Sequence, residues 1–402
     1  VKQQHQHQHQ HQQQEQHKQH QQQQQQQQRI DKSKSIISDT CPYHSIVSNK
    51  VGLFNLNNNN TSSTSNENEN DTSFENVVLV VACNYAYYNM LQNWEYLANE
   101  LNLKWIVLAL DQKLYDVLGP KRAIPSDSSF AVQGAHGWRQ GQFNTISCNK
   151  VRMALDVATK CDVDIVFTDV DNIFLQNPFT HDFGQLIRSG RYDYLYQSNE
   201  EFKGTGPRQD QCLMGQPRLE ANTGFYYFKH TSKVYQSIVN STLERCGHPK
   251  NKIDDQTLFW EELWNMQQNG ITTTTTSTRT SAATTPPPTS ITNITFRHCG
   301  LEYDNEVNII NNNKAGAADD STTSDSSTFH YCCLDPFYYP IGKHGRHPKA
   351  GHITANRNPI TYHANYAQTY DKKVEKLVNV RKDGYGWNQS RFEDGMGGVL
   401  EE

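Results

Sequence analysis

Apolar residues first run without a break from Val77 to Ala82. Such a β-branched run predicts a strand buried on both faces of a parallel sheet. It closes at Cys83-Asn84-Tyr85, and Leu91, Trp94, Leu97, Ala98 and Leu101 then recur at helical spacing. Trp105 to Leu110 is a second buried run, closed by Asp111. Strand, helix and strand in this order predict a parallel βαβ start and an α/β layered domain. Ser147 is placed to cap a helix that carries Val151, Ala154, Leu155 and Ala158 on one face. Lys150 and Arg152 would fall in its first turns, where a cation opposes the helix dipole unless an anion lies nearby. Val163 to Thr168 reads as another strand. Strand patterns at Tyr192–Tyr196, Phe225–Phe228 and Pro359–Tyr362, with helical patterns at Val234–Cys246 and Asp254–Met266, complete the core.

Outside these segments the apolar pattern vanishes. Residues 1–73 hold a Gln/His tract, a short Ser/Ile/Lys stretch and an Asn/Ser/Thr/Glu run. Polar tracts without periodicity cannot offset their ordering entropy by burial, which predicts a disordered tail or stem. A chain starting near Phe74 is therefore expected to keep its chemistry. Two more biased stretches, at about residues 270–295 and 304–328, are expected as exposed loops within a domain spanning 74–402. Roughly 280 residues remain for a core, which suits a single α/β domain.

The net charge of −5, without a basic stripe, argues against nucleic acid as a partner. The His-rich tract reads as an expanded repeat. No run of about 20 apolar residues occurs, so no membrane anchor is visible, although one preceding Val1 is compatible with the sequence. The nine cysteines contain no CxxC, so a zinc cage is not expected, and the Cys332-Cys333 pair receives no role. Asn240, Asn293 and Asn388 stand in Asn-x-Ser/Thr sequons, which permit a secretory location.

The sharpest chemistry lies in Asp169-Val170-Asp171, directly after a buried strand. Spacing by two puts both carboxylates on one side of an extended backbone. Two such charges about 4 Å apart repel by about 4 kcal/mol at an effective dielectric of about 20. A cation or a proton must intervene. A hard divalent ion would do so while also binding diphosphate oxygens, and would stabilise charge growing on a diphosphate leaving group. Capping or turn aspartates are the plain alternative. The first strand is not followed by GxGxxG, so a dinucleotide fold loses its main support.

Phe167 to Asp171, continuing through Asn177-Pro178, resembles the DxD strand of nucleotide-diphospho-sugar transferases, closest to glycosyltransferase family 77. Three later motifs resemble the same family in order: Asn222-Thr223-Gly224-Phe225-Tyr226-Tyr227-Phe228, then Asp254-Asp255-Gln256-Thr257-Leu258-Phe259, then His363-Ala364-Asn365-Tyr366. The resemblance implies a GT-A fold with a mixed central sheet. It also implies a UDP-sugar donor, Mn²⁺ (or Mg²⁺) and retention of anomeric configuration. Asp169, Asp171 and His363 would hold the metal, the two aspartates also meeting ribose and diphosphate. Asn84 would lie near the base, and Lys150 would neutralise the diphosphate. Asn222 and Thr223 would offer hydrogen bonds to the sugar, and Gly224 would let backbone approach it. Asp255 and Gln256 would be the catalytic pair beneath the sugar, although both aspartates of Asp254-Asp255 are also suited to capping a helix. Gln256 is a poor nucleophile, which favours front-side attack over a covalent intermediate.

The family adds galactose, xylose or arabinose to glycoproteins or polysaccharides, so a glycan or glycoprotein acceptor is expected. The implied location is the Golgi or secretory-pathway lumen, with the cytoplasm as the alternative. Two other readings compete. A haloacid-dehalogenase-like phosphatase also places Asp-x-Asp at a strand end and uses a downstream acidic pair, which Asp254-Asp255 would mimic. A catalytically inactive transferase fold would serve as a binding protein.

Overall fold

A computed structural model describes residues 40–50, 74, 76–127, 142–199, 221–246, 253–269, 294–298, 327–335, 338–340, 359–365, 367 and 369–382. The expected α/β start is present as β1 (Val77–Cys83), α2 (Tyr88–Glu100), β2 (Ile106–Ala109), α3 (Gln112–Leu118) and β3 (Ala123–Pro125). Helix α4 (Phe143–Cys161) then leads into β4 (Asp164–Asp169) and the short β5 (Asn172–Phe174). After α5 (Asp182–Arg188) come β6 (Tyr194–Ser198), β7 (Ala221–Phe228), α6 (Lys233–Cys246) and α7 (Asp255–Asn269). The last elements are β8 (Ile294–His298), β9 (Ser327–Leu334), β10 (Thr361–His363) and α8 (Tyr370–Lys382).

Eight strands form one sheet in the order β3-β2-β1-β4-β7-β6-β9-β8. The first four run parallel, β7 is antiparallel to both β4 and β6, and β6, β9 and β8 are parallel again. This is the mixed central sheet expected of a GT-A fold. Both faces are covered, which explains why β1 is buried at every position. Val77, Leu79 and Val81 face a layer containing Trp94 and Phe174, while Val78 and Val80 face α4, α6 and α7. A second, two-stranded sheet pairs β10 antiparallel with β5, His363 lying opposite Asn172.

Two expectations need correction. Residues 44–50, assigned above to a disordered tail, form helix α1 (His44–Lys50) with Ile46 and Val47 buried. A disulfide from Cys41 to Cys161 fastens this segment to the end of α4. Burial of two such side chains contributes about 2 kcal/mol each. A cross-link closing so long a loop adds about 5 kcal/mol on the chain-entropy model. Second, Ser147 does not cap α4: the helix begins at Phe143, and the Ser147 hydroxyl donates back to the Asn144 carbonyl at 3.1 Å. Lys150 and Arg152 therefore sit within α4 rather than at its start. Beyond the two low-complexity stretches, β8 begins at Ile294 and β9 at Ser327.

Candidate active site

Strand β4 delivers Asp169 to the carboxyl edge of the sheet at the point where strand direction reverses. Its register places Asp169 beside Ala82 of β1, and the Thr168–Phe225 pairing brings Gly224 alongside from β7. The chain then turns sharply. The Thr168 hydroxyl lies 3.0 Å from the Asp169 carbonyl and 3.3 Å from that of Asn172, and the Trp94 indole N–H donates to the Asn172 carbonyl at 3.0 Å. This turn buries Asp171, whereas the Asp169 side chain keeps 23% of its surface exposed.

Cations meet both carboxylates. The Lys150 ammonium donates to both Asp169 oxygens at 3.0 Å and stands 3.8 Å from Asp255 Oδ2. Lys373 of α8 donates to Asp171 Oδ2 at 2.5 Å. Burial works against the Lys150 charge, but Asp169 and then Asp255 outweigh it, so its pKa lies above the usual lysine value. Burial likewise opposes ionisation of Asp171, and Lys373 followed by His363 overrides it, holding that carboxyl far below its ordinary range. Asp255 is the opposite case: burial pushes it up to about 6 against the pull of Lys150.

The His363 imidazole completes the cluster. Its Nε2 lies 3.4 Å from Asp171 Oδ1 and 4.0 Å from Asp169 Oδ2. Its Nδ1 is 3.2 Å from Gln197 Oε1. The Gln197 amide nitrogen donates to the Tyr339 and Pro340 carbonyls at 3.0 and 3.2 Å. Those two bonds fix the amide's orientation, so its oxygen accepts from Nδ1–H and Nε2 is turned toward the carboxylates. Ligand atoms of Asp169, Asp171 and His363 lie within 4.8 Å of one another. Two carboxylate oxygens and a neutral imidazole nitrogen at that spacing fit one divalent cation.

Strand β7 supplies the floor. Asn222 Oδ1 accepts from the Gly224 N–H at 2.7 Å, and Asn222 Nδ2 donates to Asn199 at 3.2 Å. Gly224 has a specific reason to be glycine. A Cβ there would come 2.1 Å from His363 Cε1, so the space a side chain would need is taken by the imidazole. The Thr223 N–H donates to Gln256 Oε1 at 3.3 Å. The Asp254-Asp255 pair divides its duties. Asp254 Oδ1 accepts from the Thr257 N–H and hydroxyl, both at 2.9 Å, as an N-cap does, while Asp255 is buried facing Lys150.

All these groups open on one cavity of about 380 Å³. It is lined by Asn84, Lys150, Asp169, Asp171, Asn222, Thr223, Gly224, Asp255, Gln256 and His363, every site residue the sequence pointed to. Asn84, buried directly after β1, precedes Tyr85, whose N–H donates to Asp111 at 2.9 Å. The volume falls in the small-molecule range. Two further residues escaped sequence reasoning: Lys373, which also lines the cavity, and Gln197 behind His363. Gln197 carried one signal, a polar residue ending the apolar Tyr194-Leu195-Tyr196 strand.

A family model described as nucleotide-diphospho-sugar transferase matches residues 101–377. No curated protein matches by sequence. Among solved structures, the chain is similar to the glycosyltransferase GlyE of Streptococcus pneumoniae TIGR4, with a TM-score of 0.36 at 10% identity over 75% of this chain and 60% of that one. It is also similar to mouse xyloside xylosyltransferase 1, with a TM-score of 0.34 at 11% identity over 73% of this chain and 98% of that one. The chain spans less than two thirds of the GlyE structure. Neither likeness is close enough to assign substrates or residue roles.

Proposed function

The chain belongs to the nucleotide-diphospho-sugar transferase family and is a glycosyltransferase, and from that premise we propose a metal-dependent, retaining enzyme that uses a UDP-sugar. The sugar is of the galactose, xylose or arabinose class, and the acceptor is a hydroxyl on a glycoprotein or polysaccharide. The observation that carries this reading is the convergence of Asp169, Asp171 and His363 on the cavity that also holds Asp255 and Gln256.

A divalent cation, Mn²⁺ or Mg²⁺, would be held by Asp169, Asp171 and His363 and would supply charge stabilisation to the departing diphosphate. Lys150 adds a fixed positive charge on the same side and orients Asp255. Asp255 positions the sugar ring, its buried carboxylate accepting from sugar hydroxyls in place of water. Gln256 sits beneath the ring with its carbonyl oxygen engaged by the Thr223 N–H, which favours front-side departure and attack over a glycosyl-enzyme. The phosphatase alternative loses support because Asp171, held firmly ionised, is unsuited to donate a proton, and Asp254 is committed to capping α7. The Cys41–Cys161 and Cys148–Cys246 disulfides support a location in the oxidising secretory lumen.

A donor panel tests the reading. Purified protein with Mn²⁺ is expected to release UDP from a UDP-sugar, to prefer it over GDP-sugars, and to fall silent in excess EDTA or as Asp169→Asn. Preference for GDP, or full activity in EDTA, would overturn it.

A further inference from the structure

The repulsion expected between Asp169 and Asp171 is answered in this structure by two ammonium groups, one from each wall. Lys150 takes both oxygens of Asp169, leaving the Asp171 side to Lys373. Lys373 is half-buried, 24% of its side chain being exposed, and lies beside the Tyr87 ring, 5.7 Å from its centroid. Burial works against its charge, yet Asp171 keeps its pKa above the ordinary lysine value. The other titratable and charged groups around Asp171 are His363, Asp169 in the same cluster, Lys150, and Lys376 one turn farther along α8, which donates to the Asn365 carbonyl at 2.6 Å. Lys373 thus holds Asp171 Oδ2, while His363 Nε2 stands 3.4 Å from Oδ1.

An ammonium on Asp171 and a divalent cation on the same carboxylate are mutually unfavourable. We propose that Lys373 is a built-in counter-ion for the metal site: it holds Asp171 when the cation is absent and must leave it for the cation to bind. The inference rests on Asp169, Asp171 and His363 being that site. A dianionic diphosphate entering beside the cation gives the displaced ammonium a new partner. Cation and nucleotide then help each other into the site, while the cation alone binds weakly. Such coupling is reciprocal, each ligand raising the other's affinity by the same factor.

Removing the Lys373 charge separates two effects that a merely structural residue would not. Calorimetric titration of Mn²⁺ into the nucleotide-free protein is expected to give affinity about tenfold tighter for Lys373→Met than for the parent, as loss of a close competing charge predicts. UDP affinity at saturating Mn²⁺ is expected to fall, so the factor by which UDP enhances Mn²⁺ binding shrinks. Lys373→Arg, which keeps the charge, is expected to resemble the parent, and Lys373→Gln with a thermal melt covers the case in which the methionine variant does not fold. Unchanged Mn²⁺ affinity in folded Lys373→Met or Lys373→Gln would overturn the counter-ion role and leave the metal site standing. Absence of Mn²⁺ binding in parent and variants alike, with or without UDP, would overturn the metal site and the inference with it.

Discussion

The two carboxylates at the end of β4 are assembled in contrasting ways. On the Asp169 flank the partner is Lys150, 19 residues away in the chain, carried on a long helix whose Cys148 is cross-linked to Cys246 and whose Cys161 is cross-linked to Cys41. On the Asp171 flank the partner is Lys373, 202 residues away, and His363 reaches the site on a three-residue strand paired with β5. The first flank is local and stapled. The second is assembled from the far end of the chain and held by few bonds. On the proposed reading, the stapled side is the rigid flank that orients the sugar and the other is the adjustable flank that admits a charged ligand.

The strongest way to break the rigid flank is Asp255→Ala. It is expected to lower kcat about 10²-fold or more with little change in UDP affinity, because the sugar contact is realised mainly in the transition state. Steady-state kinetics beside UDP calorimetry separates the two numbers. Equal turnover would make Asp255 only a helix-start residue.

The adjustable flank is weakened more gently by Gln197→Ala. Loss of the amide that fixes the His363 tautomer is expected to reduce Mn²⁺ affinity at saturating UDP by about tenfold or more. Asp255→Ala should leave the same measurement nearly unchanged. Equal effects of the two variants on metal affinity would erase the distinction between the flanks.

The smallest effect on chemistry is expected from Cys41→Ser. Donor affinity below the melting temperature should hold. Stability should fall by about 2–5 kcal/mol, the usual range for a native disulfide, read as a lower denaturant midpoint. A chain starting at Phe74 would lose this cross-link together with the buried Ile46 and Val47, so it should melt earlier still. No loss of stability in either would restore the view that nothing before Phe74 matters to the domain.

The parts of this molecule legible in sequence were those whose neighbours lie nearby in the chain. The apolar runs at Val77 and Ile106 carry their own signal, and the abrupt acidic ending of β4 marks a site without help from any other segment. Lys373 was hidden because Asp371-Lys372-Lys373-Val374-Glu375-Lys376 has the charge mixture of a solvated helix face, and only tertiary packing singles out one lysine. Gln197 and His363 meet across 166 residues, a pairing no local pattern encodes. Helix α1 was missed for a related reason. Seven residues are too few to reveal a period amid low-complexity flanks, and spacing alone does not say which cysteine answers Cys41. Ser147 misled because a residue type favoured at helix starts here bonds its own helix instead.

The pairing of β10 with β5 also sets an order of events during synthesis. The large sheet gains its last strand, β9, before the ribosome reaches His363. A nascent chain can therefore bury most of its core while its metal site still lacks a ligand, since domains begin to fold from the end made first. The candidate site is completed last, by a short ribbon whose Ile173, Phe174 and Tyr362 also pack into the core. A translation product broken off after Leu334 would lack His363 together with the core side chains Tyr339, Tyr362 and Leu377, so completion of the site and completion of the core end on the same stretch of chain.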